Sequence, residues 1–284
     1  MAKGKIRVAT CQFAETFNPR RNVVTVLRYL RKAKAAGAEL VHFHETCLSG
    51  YLCRGGAPAL DDKAYWTALR ETGEEVCAEA RRRKLWVVLG SSHPLTPPHK
   101  PTNCLYLIGP DGHVRDRYDK RFCTSGDLHA YTPGDRPVLF TLNGVKCALL
   151  ICYDLRFPEL YRDLYKRGVQ VVFHSFHNAY AKGPTVHGKI MRQTVQGHAG
   201  VNYMWVSMNN SSAYFSTWPS VLIQPDGTFA ASLQQNRAGV MVNTIDTTKI
   251  FYYASSPYRD RAIRGVLHSG KLVKDPRQKD TRSL

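Results

Sequence analysis

A cysteine ends an apolar stretch and lies directly before the predicted start of a helix. Residues 148–151, Ala-Leu-Leu-Ile, are too few for a helix and apolar throughout, which is typical of a strand covered on both faces. Pro158 suits a first helical position and Gly168 a helix end. Cys152 is therefore predicted at the carboxyl end of a buried strand, the edge where α/β sheets usually bind ligands. Its thiol is a candidate nucleophile, although free cysteine more often serves as a small buried apolar residue.

Two charged residues are predicted at corresponding strand ends. Glu45 follows the predicted strand 40–44, and Lys120 comes just after the second strand of a hairpin. A thiol attacks a carbonyl group as the thiolate and needs a base or a cationic neighbour, and the resulting oxyanion needs hydrogen-bond donors. Glu45 could accept the thiol proton and Lys120 could stabilise the oxyanion. The alternatives are a water-facing loop residue for Glu45 and one charge of the solvated run 115–121 for Lys120.

The elements that must position these residues follow an alternating pattern. Strand 6–13, a helix from Asn18-Pro19 to Gly37 and strand 40–44 form a β-α-β unit, and the segment that begins at Cys152 repeats it. We expect internal pseudosymmetry and one α/β domain with helices over packed sheets. Further helices are predicted at 65–83, 158–167 and 189–199, and further strands at 85–92, 103–108, 113–118, 138–141, 145–152, 169–174, 203–208, 221–224, 228–233 and 239–245.

Composition limits the classes of protein that fit. The chain has 284 residues, 43% of them hydrophobic, without a signal-peptide or membrane-spanning run. We expect a soluble, cytoplasmic protein with no membrane partner. The net charge of +18 is scattered and carries no nucleic-acid-binding motif, so a solvated basic surface is favoured over a nucleic-acid partner. The eight cysteines include no C-x-x-C pair and no zinc spacing, which predicts free thiols and no metal.

Three ordered motifs, HETCLSGY around Glu45, RYDKRF around Lys120 and ICYDLRFPEL around Cys152, resemble those of the nitrilase or carbon–nitrogen hydrolase superfamily. The similarity covers roughly residues 5 to 265. Residues 266–284 are basic and polar, which predicts a C-terminal tail that is either an oligomer arm or disordered. The resemblance implies a four-layer αββα sandwich in residues 1–265. It also implies a homodimer or a higher homo-oligomer.

The resemblance also implies roles for individual residues. Glu45 would be the general base, Lys120 the oxyanion stabiliser and Cys152 the nucleophile of a Glu-Lys-Cys triad, with the backbone N–H of Tyr153 at the oxyanion. Cleavage would pass through a thioester and would need no metal and no organic cofactor. Many members carry a further glutamate before a Pro-Gly pair, but residues 121–151 contain none. Asp127, six positions before Pro133-Gly134, is the nearest substitute and is one methylene shorter.

The segment after the nucleophile bears on the substrate. Residues 153–159, YDLRFPE, resemble amidase and carbamoyl-hydrolase branches more than the Trp-Glu-Asn pattern of nitrilases. We therefore predict hydrolysis of small linear amides with release of ammonia or an amine. The alternatives are an N-carbamoyl amine or amino-acid hydrolase that releases carbon dioxide and ammonia, and a basic binding protein with a silent triad. Arg156 could hold a substrate carboxylate, but pairing with an acid such as Glu159 is favoured.

Substrate-positioning candidates follow the next predicted strand, whose end should overhang the pocket. They are His174, His177, Asn178 and Tyr180; Asp127, which precedes Cys152 in the chain, is a further candidate. Ordinary polar loop residues would give the same pattern.

Overall fold

The computed structural model describes residues 3–180, 182–253 and 255–283. The chain divides into two compact units, Met1–Tyr252 and Tyr253–Leu284. The first unit contains both sheets and all the residues predicted for catalysis, and the second belongs to the basic C-terminal part of the chain.

The first half of the larger unit builds one sheet and two helices. Its elements are β1 (Lys5–Gln12), α1 (Pro19–Ala35), β2 (Leu40–Phe43), α2 (Lys63–Arg83), β3 (Trp86–His93), β4 (Thr102–Ile108) and β5 (Val114–Asp119). Strands β1, β2 and β3 are parallel neighbours, and β4 and β5 continue the sheet as an antiparallel hairpin.

The second half repeats this topology. Its elements are β6 (Leu139–Leu142), β7 (Val145–Ile151), α3 (Pro158–Lys166), β8 (Val171–Ser175), α4 (Val186–Asn202), β9 (Trp205–Asn209), β10 (Val221–Ile223), β11 (Phe229–Ser232) and β12 (Gly239–Asp246). Strands β7, β8 and β9 are parallel neighbours, and the hairpin β10–β11 continues that sheet. Within the described residues each sheet has six strands, in the orders β12-β1-β2-β3-β4-β5 and β11-β10-β9-β8-β7-β6. The predicted β-α-β repeat is therefore present in both sheets.

Alternation along the strands gives each sheet two buried faces. In β1, Ile6 and Val8 belong to the core that includes the second sheet, whereas Ala9 and Cys11 pack with residues of α1 and α2. The apolar residues of α1 recur at helical spacing, and Val23, Val26 and Leu30 are buried on that side. These layers confirm the predicted αββα sandwich.

Polar residues as well as apolar ones lie between the sheets. The His42 ring contacts Ser207 Oγ at 2.8 Å through Nδ1 and Ser175 Oγ at 2.9 Å through Nε2. Since Ser175 donates its hydroxyl hydrogen to Phe43 O, it must accept from His42 Nε2–H. Burial lowers the pKa of His42 to about 3, so the ring is neutral.

The second unit contains two short helices, α5 (Arg259–Ile263) and α6 (Pro276–Lys279). Most of its described residues from 264 onward are exposed, including Leu267 and Leu272. Among the described residues of the whole chain, no helix is long and apolar enough to cross a membrane.

Two glycines let strand segments pass close to the predicted catalytic residues. A Cβ on Gly90 of β3 would lie 2.0 Å from His44 O and 2.7 Å from Thr46 N, on either side of Glu45. A Cβ on Gly134 would lie 2.5 Å from Asp119 O, directly before Lys120. Close backbone approach therefore fixes the two strand ends that carry Glu45 and Lys120.

Gly90→Ala should destabilise the fold by about 1–3 kcal/mol, because the new methyl group must displace the backbone around Glu45. The matched control is Gly73→Ala in α2, where an added Cβ meets nothing within 4 Å; helix propensity predicts a gain of about 0.5–1 kcal/mol there. Urea unfolding of both variants measures the difference. Equal stability of Gly90→Ala and the wild type would contradict the packing argument.

Candidate active site

The turn that carries Cys152 is sharp and left-handed. Cys152 has a φ of +42° and begins a 3₁₀ helix, Cys152–Arg156, directly after β7. This conformation is costly for a residue with a side chain, and such strain concentrates at functional sites. Cys152 is partly buried, and α3 begins shortly afterwards at Pro158.

Glu45 lies just past the end of β2 and is fully buried. Its Oε1 accepts hydrogen bonds from Asn103 Nδ2 at 2.6 Å and from Lys120 Nζ at 2.9 Å. Its Oε2 accepts from the backbone N–H of His177 at 2.7 Å. The burial cost of the carboxylate is thus met by one cation and two neutral donors.

Lys120 follows β5 and is also fully buried, so it is not part of a solvated charge run. Its Nζ lies 2.9 Å from Glu45 Oε1 and 2.8 Å from Asp127 Oδ2. Burial acts to lower the pKa of Lys120, but the negative charges of Glu45 and Asp127 raise it well above its ordinary value. The amine therefore stays protonated.

Asp127 begins a short 3₁₀ helix, Asp127–His129. Its side chain forms a buried ion cluster with Glu45 and Lys120. Besides Lys120, its carboxylate accepts a hydrogen bond from Thr124 N at 2.8 Å and a short one from the hydroxyl of Tyr51. Burial would raise the pKa of Asp127, but Lys120 and these donors hold it below its usual range. The structure therefore brings the predicted substitute carboxylate into contact with Lys120.

The charges of this cluster act on the thiol. Burial and the Glu45 carboxylate raise the pKa of Cys152 well above its ordinary value, and Lys120 opposes them. The resting group is consequently a neutral thiol, and Glu45 is the carboxylate with the largest effect on its pKa.

Asp154 is a residue that the sequence reasoning missed. Its Oδ2 accepts from Tyr118 OH at 2.7 Å and from Ile151 N at 2.9 Å, and its Oδ1 accepts from Phe122 N at 2.9 Å. Burial raises its pKa to about 6 despite these donors. Because Ile151 precedes Cys152 and Phe122 follows Lys120, Asp154 ties the cysteine turn to the lysine segment.

Two of the predicted substrate-positioning residues lie outside the ion cluster. His174 is within β8, which extends to Ser175, and its Nδ1 contacts Tyr161 OH of α3 at 2.6 Å. Strand alternation turns its side chain toward the helices and not toward the predicted pocket. Asn178 stabilises a loop, with its Oδ1 accepting from Thr217 Oγ1 at 2.5 Å.

Two further side chains of the cysteine turn, Tyr153 and Arg156, make contacts outside the ion cluster. The Tyr153 ring packs edge-on against Phe157, with centroids 5.5 Å apart. The Arg156 guanidinium lies 3.3 Å from His187 Nδ1, so the contact that the structure shows is with a histidine and not with Glu159.

His177 contacts the cluster through its backbone and a second buried carboxylate through its ring. The ring Nε2 lies 2.7 Å from Glu15 Oε1, and the ring stacks on Tyr51 with centroids 4.8 Å apart. Glu15 was not predicted from the sequence. The available signal was its position three residues past β1, at the same sheet edge as Glu45.

Comparison with known proteins shows the family to which the chain belongs. The carbon–nitrogen hydrolase family model matches residues 7–251. An (R)-stereoselective amidase from a Pseudomonas species is 30% identical over 62% of this chain and 60% of its own, and the tomato (Solanum lycopersicum) N-carbamoylputrescine amidase is 26% identical over 90% and 92%. The crystal structure of a Nesterenkonia amidase covers 94% of this chain and 98% of its own, with 21% identity and a TM-score of 0.74. The chain therefore belongs to the carbon–nitrogen hydrolase family and is an amidase-like enzyme that acts on carbon–nitrogen bonds other than peptide bonds.

Proposed function

We propose that this enzyme hydrolyses small linear amides, with Cys152 as nucleophile, Glu45 as general base and Lys120 as oxyanion stabiliser. The observation that carries the proposal is the buried Lys120 ammonium, held between Glu45 and Asp127 and acting on the Cys152 thiol. A neutral thiol, a carboxylate and a fixed cation supply the groups that acyl transfer needs.

The cycle begins with a protonated Cys152. When an amide carbonyl carbon approaches Sγ, Glu45 takes the thiol proton and Sγ forms a bond to that carbon. The tetrahedral intermediate collapses as the C–N bond breaks, and Glu45 returns the proton to the leaving nitrogen, which departs as ammonia or an amine. Glu45 then takes a proton from water, whose oxygen attacks the thioester; the acid leaves and the proton returns to Sγ.

The oxyanion would be held by Lys120 and the Tyr153 backbone. An ammonium group has three donors, and two of those of Lys120 point to Glu45 and Asp127. The third is left for the substrate oxygen. The N–H of Tyr153 directly follows Cys152 at the start of the 3₁₀ helix and is the second proposed donor.

Hydrolysis of N-carbamoyl amines or amino acids is the second candidate function. It would use the same three residues and release carbon dioxide and ammonia. This second function is supported by the similarity to the tomato N-carbamoylputrescine amidase, which extends over 90% of this chain. The segment 153–159 suits both branches, so the choice between amide and carbamoyl substrates falls to experiment.

The predicted cytoplasmic location and the homodimer or higher homo-oligomer remain proposals. Assembly would bring sandwich faces of two chains together, with residues 266–284 as the possible arm. Sedimentation velocity of the full chain tests the assembly.

Cys152→Ala should abolish turnover, with a loss of at least about 10³-fold in kcat, because no other group can form the thioester. Ammonia release is measured with aliphatic amides, ω-amides and N-carbamoyl compounds. Cys77→Ala is the control, since this half-buried thiol lies on α2, outside the ion cluster, and the substitution should leave kcat unchanged.

An inert wild-type enzyme, or a Cys152→Ala variant that keeps wild-type turnover, would contradict the catalytic proposal. Salt-dependent retention on nucleic acid by that inert protein would instead support the binding alternative.

Asp127→Asn should lower kcat/KM by about 10–100-fold, since a hydrogen bond to a charged group contributes about 1.5–3 kcal/mol and each 1.36 kcal/mol is a factor of ten. Asp127→Glu restores the charge and should recover part of the loss. Asp163→Asn, which removes an exposed ion-pair partner of Arg167 on α3, is the control and should have no effect. Steady-state kinetics of the three variants decide; an unchanged Asp127→Asn enzyme would show that Lys120 does not need Asp127.

A further inference from the structure

Behind Glu45 lies a second buried carboxylate that the proposed reaction does not use. Glu15 is 3% exposed. Its Oε1 lies 2.7 Å from His177 Nε2, and its Oε2 lies 3.2 Å from His44 Nε2 and 2.6 Å from Ser211 Oγ. A carboxylate with three buried partners is held in one orientation.

His177 connects Glu15 to the ion cluster in two directions. Its ring meets Glu15, while its backbone N–H donates to Glu45 Oε2 at 2.7 Å. The same ring stacks on Tyr51, whose hydroxyl donates to Asp127. Movement of this one imidazole would therefore disturb both carboxylates that flank Lys120.

The charge state of the pair follows from its surroundings. Burial would lower the pKa of His177, but the Glu15 carboxylate raises it above the ordinary value, with a smaller contribution from Glu45. Burial opposes ionisation of Glu15, yet His177 and His44 bring its pKa well below its usual range. Each partner therefore favours the charged form of the other.

Other groups face this pair and bear on its titration. His44 stays neutral because burial lowers its pKa. Arg54 Nη1 lies 3.8 Å from Glu15 Oε1, and its guanidinium carbon lies 3.2 Å from the centroid of the Tyr180 ring. Tyr180 also stacks on His177, with centroids 5.9 Å apart. Of these groups, Arg54 opposes the protonation of His177, so Glu15 is the group that sustains it.

We propose that Glu15 is a positioning residue for hydrolysis: by pairing with the His177 ring it fixes the backbone N–H that holds the general base Glu45. This inference rests on the proposed function, in which Glu45 moves the protons. Glu45 must accept a proton from one direction, so hydrogen bonds to its other lone pairs are needed to hold it in place. A misplacement of a catalytic group by about 1 Å can lower the rate about 10²-fold.

Glu15→Gln keeps the size of the side chain but removes the charge. We expect kcat to fall about 10–100-fold with a smaller change in KM, because the substrate is still bound while the base is displaced. Glu15→Asp, which keeps the charge one methylene further back, should lose less. His177→Gln should lose about as much as Glu15→Gln, and the double variant no more than either single one, since both remove the same link.

The matched control is Glu79→Gln. Glu79 is a buried carboxylate, 7% exposed, paired with Arg82 and Arg83 on α2 outside the ion cluster. This substitution tests whether loss of any buried ion pair slows the enzyme through stability alone. It should leave kcat within about twofold of the wild type, and melting temperatures of all variants identify any that fail to fold.

A readout independent of turnover follows the His177 ring. In ¹⁵N-histidine spectra recorded across a pH series, the His177 ring should lose its proton at a lower pH in Glu15→Gln than in the wild type, because the Glu15 carboxylate raises its pKa. The spectrum of His177→Gln identifies its signal among the 11 histidines. This measurement stands even if the wild type hydrolyses none of the amides, a result that would count against the proposed function alone.

Two results would overturn the inference. One is a Glu15→Gln enzyme with wild-type kcat, or additive losses in the double variant, while the wild type is active. The other is a His177 ring whose protonation is the same in Glu15→Gln and the wild type.

Discussion

The site depends on burying the ammonium of one lysine. Transfer of such a cation out of water costs several kcal/mol, and only well-placed anions offset this cost. The anions that pair with Lys120 are Glu45 and Asp127. Both are fully buried, and each has a carboxylate oxygen within 3 Å of Lys120 Nζ. The segments that supply them cannot shift independently, because a displaced carboxylate would leave a buried charge unpaired. The close approach of Gly90 to the backbone around Glu45, and the hydrogen bonds of Asp154 to the segments of Lys120 and Cys152, meet this requirement.

The same balance of charge decides how the thiol is used. Burial raises the pKa of Cys152, and the carboxylates of Glu45 and Asp127 add to this effect while Lys120 opposes it. Many reactive cysteines rest as thiolates beside a cation or a helix N-terminus. Here the thiolate would form only when the proton passes to Glu45 as the substrate arrives, and the Lys120 charge would then be available to the oxyanion. The arrangement favours attack on a bound carbonyl over reaction with solutes that reach the thiol.

Local patterns predicted most of the fold and singled out the residues at the centre of the candidate site. Apolar runs, prolines and glycines placed the main helices and strands to within about three residues at each end, and three motifs singled out Glu45, Lys120 and Cys152. The remaining contacts join segments that no local pattern relates. Glu15 and His177 are 162 positions apart in the chain, and Asp154 is 36 positions from Tyr118. His174 shows the limit of strand prediction. It was predicted at the end of a strand, but β8 continues to Ser175, and the side chain of His174 faces a helix.

The alignment of the two sheets determines how the residues that follow strands of one sheet lie relative to those that follow strands of the other. Glu45 and Glu15 follow strands of the first sheet, whereas Cys152 and His177 follow strands of the second. A purely apolar interface would resist separation but only weakly resist sliding. The contacts of His42 with Ser175 and Ser207, and the 2.6 Å bond from Asn209 Nδ2 to His42 O, are directional and buried. A slide of one sheet would leave these groups unsatisfied at about 1–3 kcal/mol each. The neutral histidine between the sheets therefore maintains the alignment of the proposed base Glu45 with the proposed nucleophile Cys152.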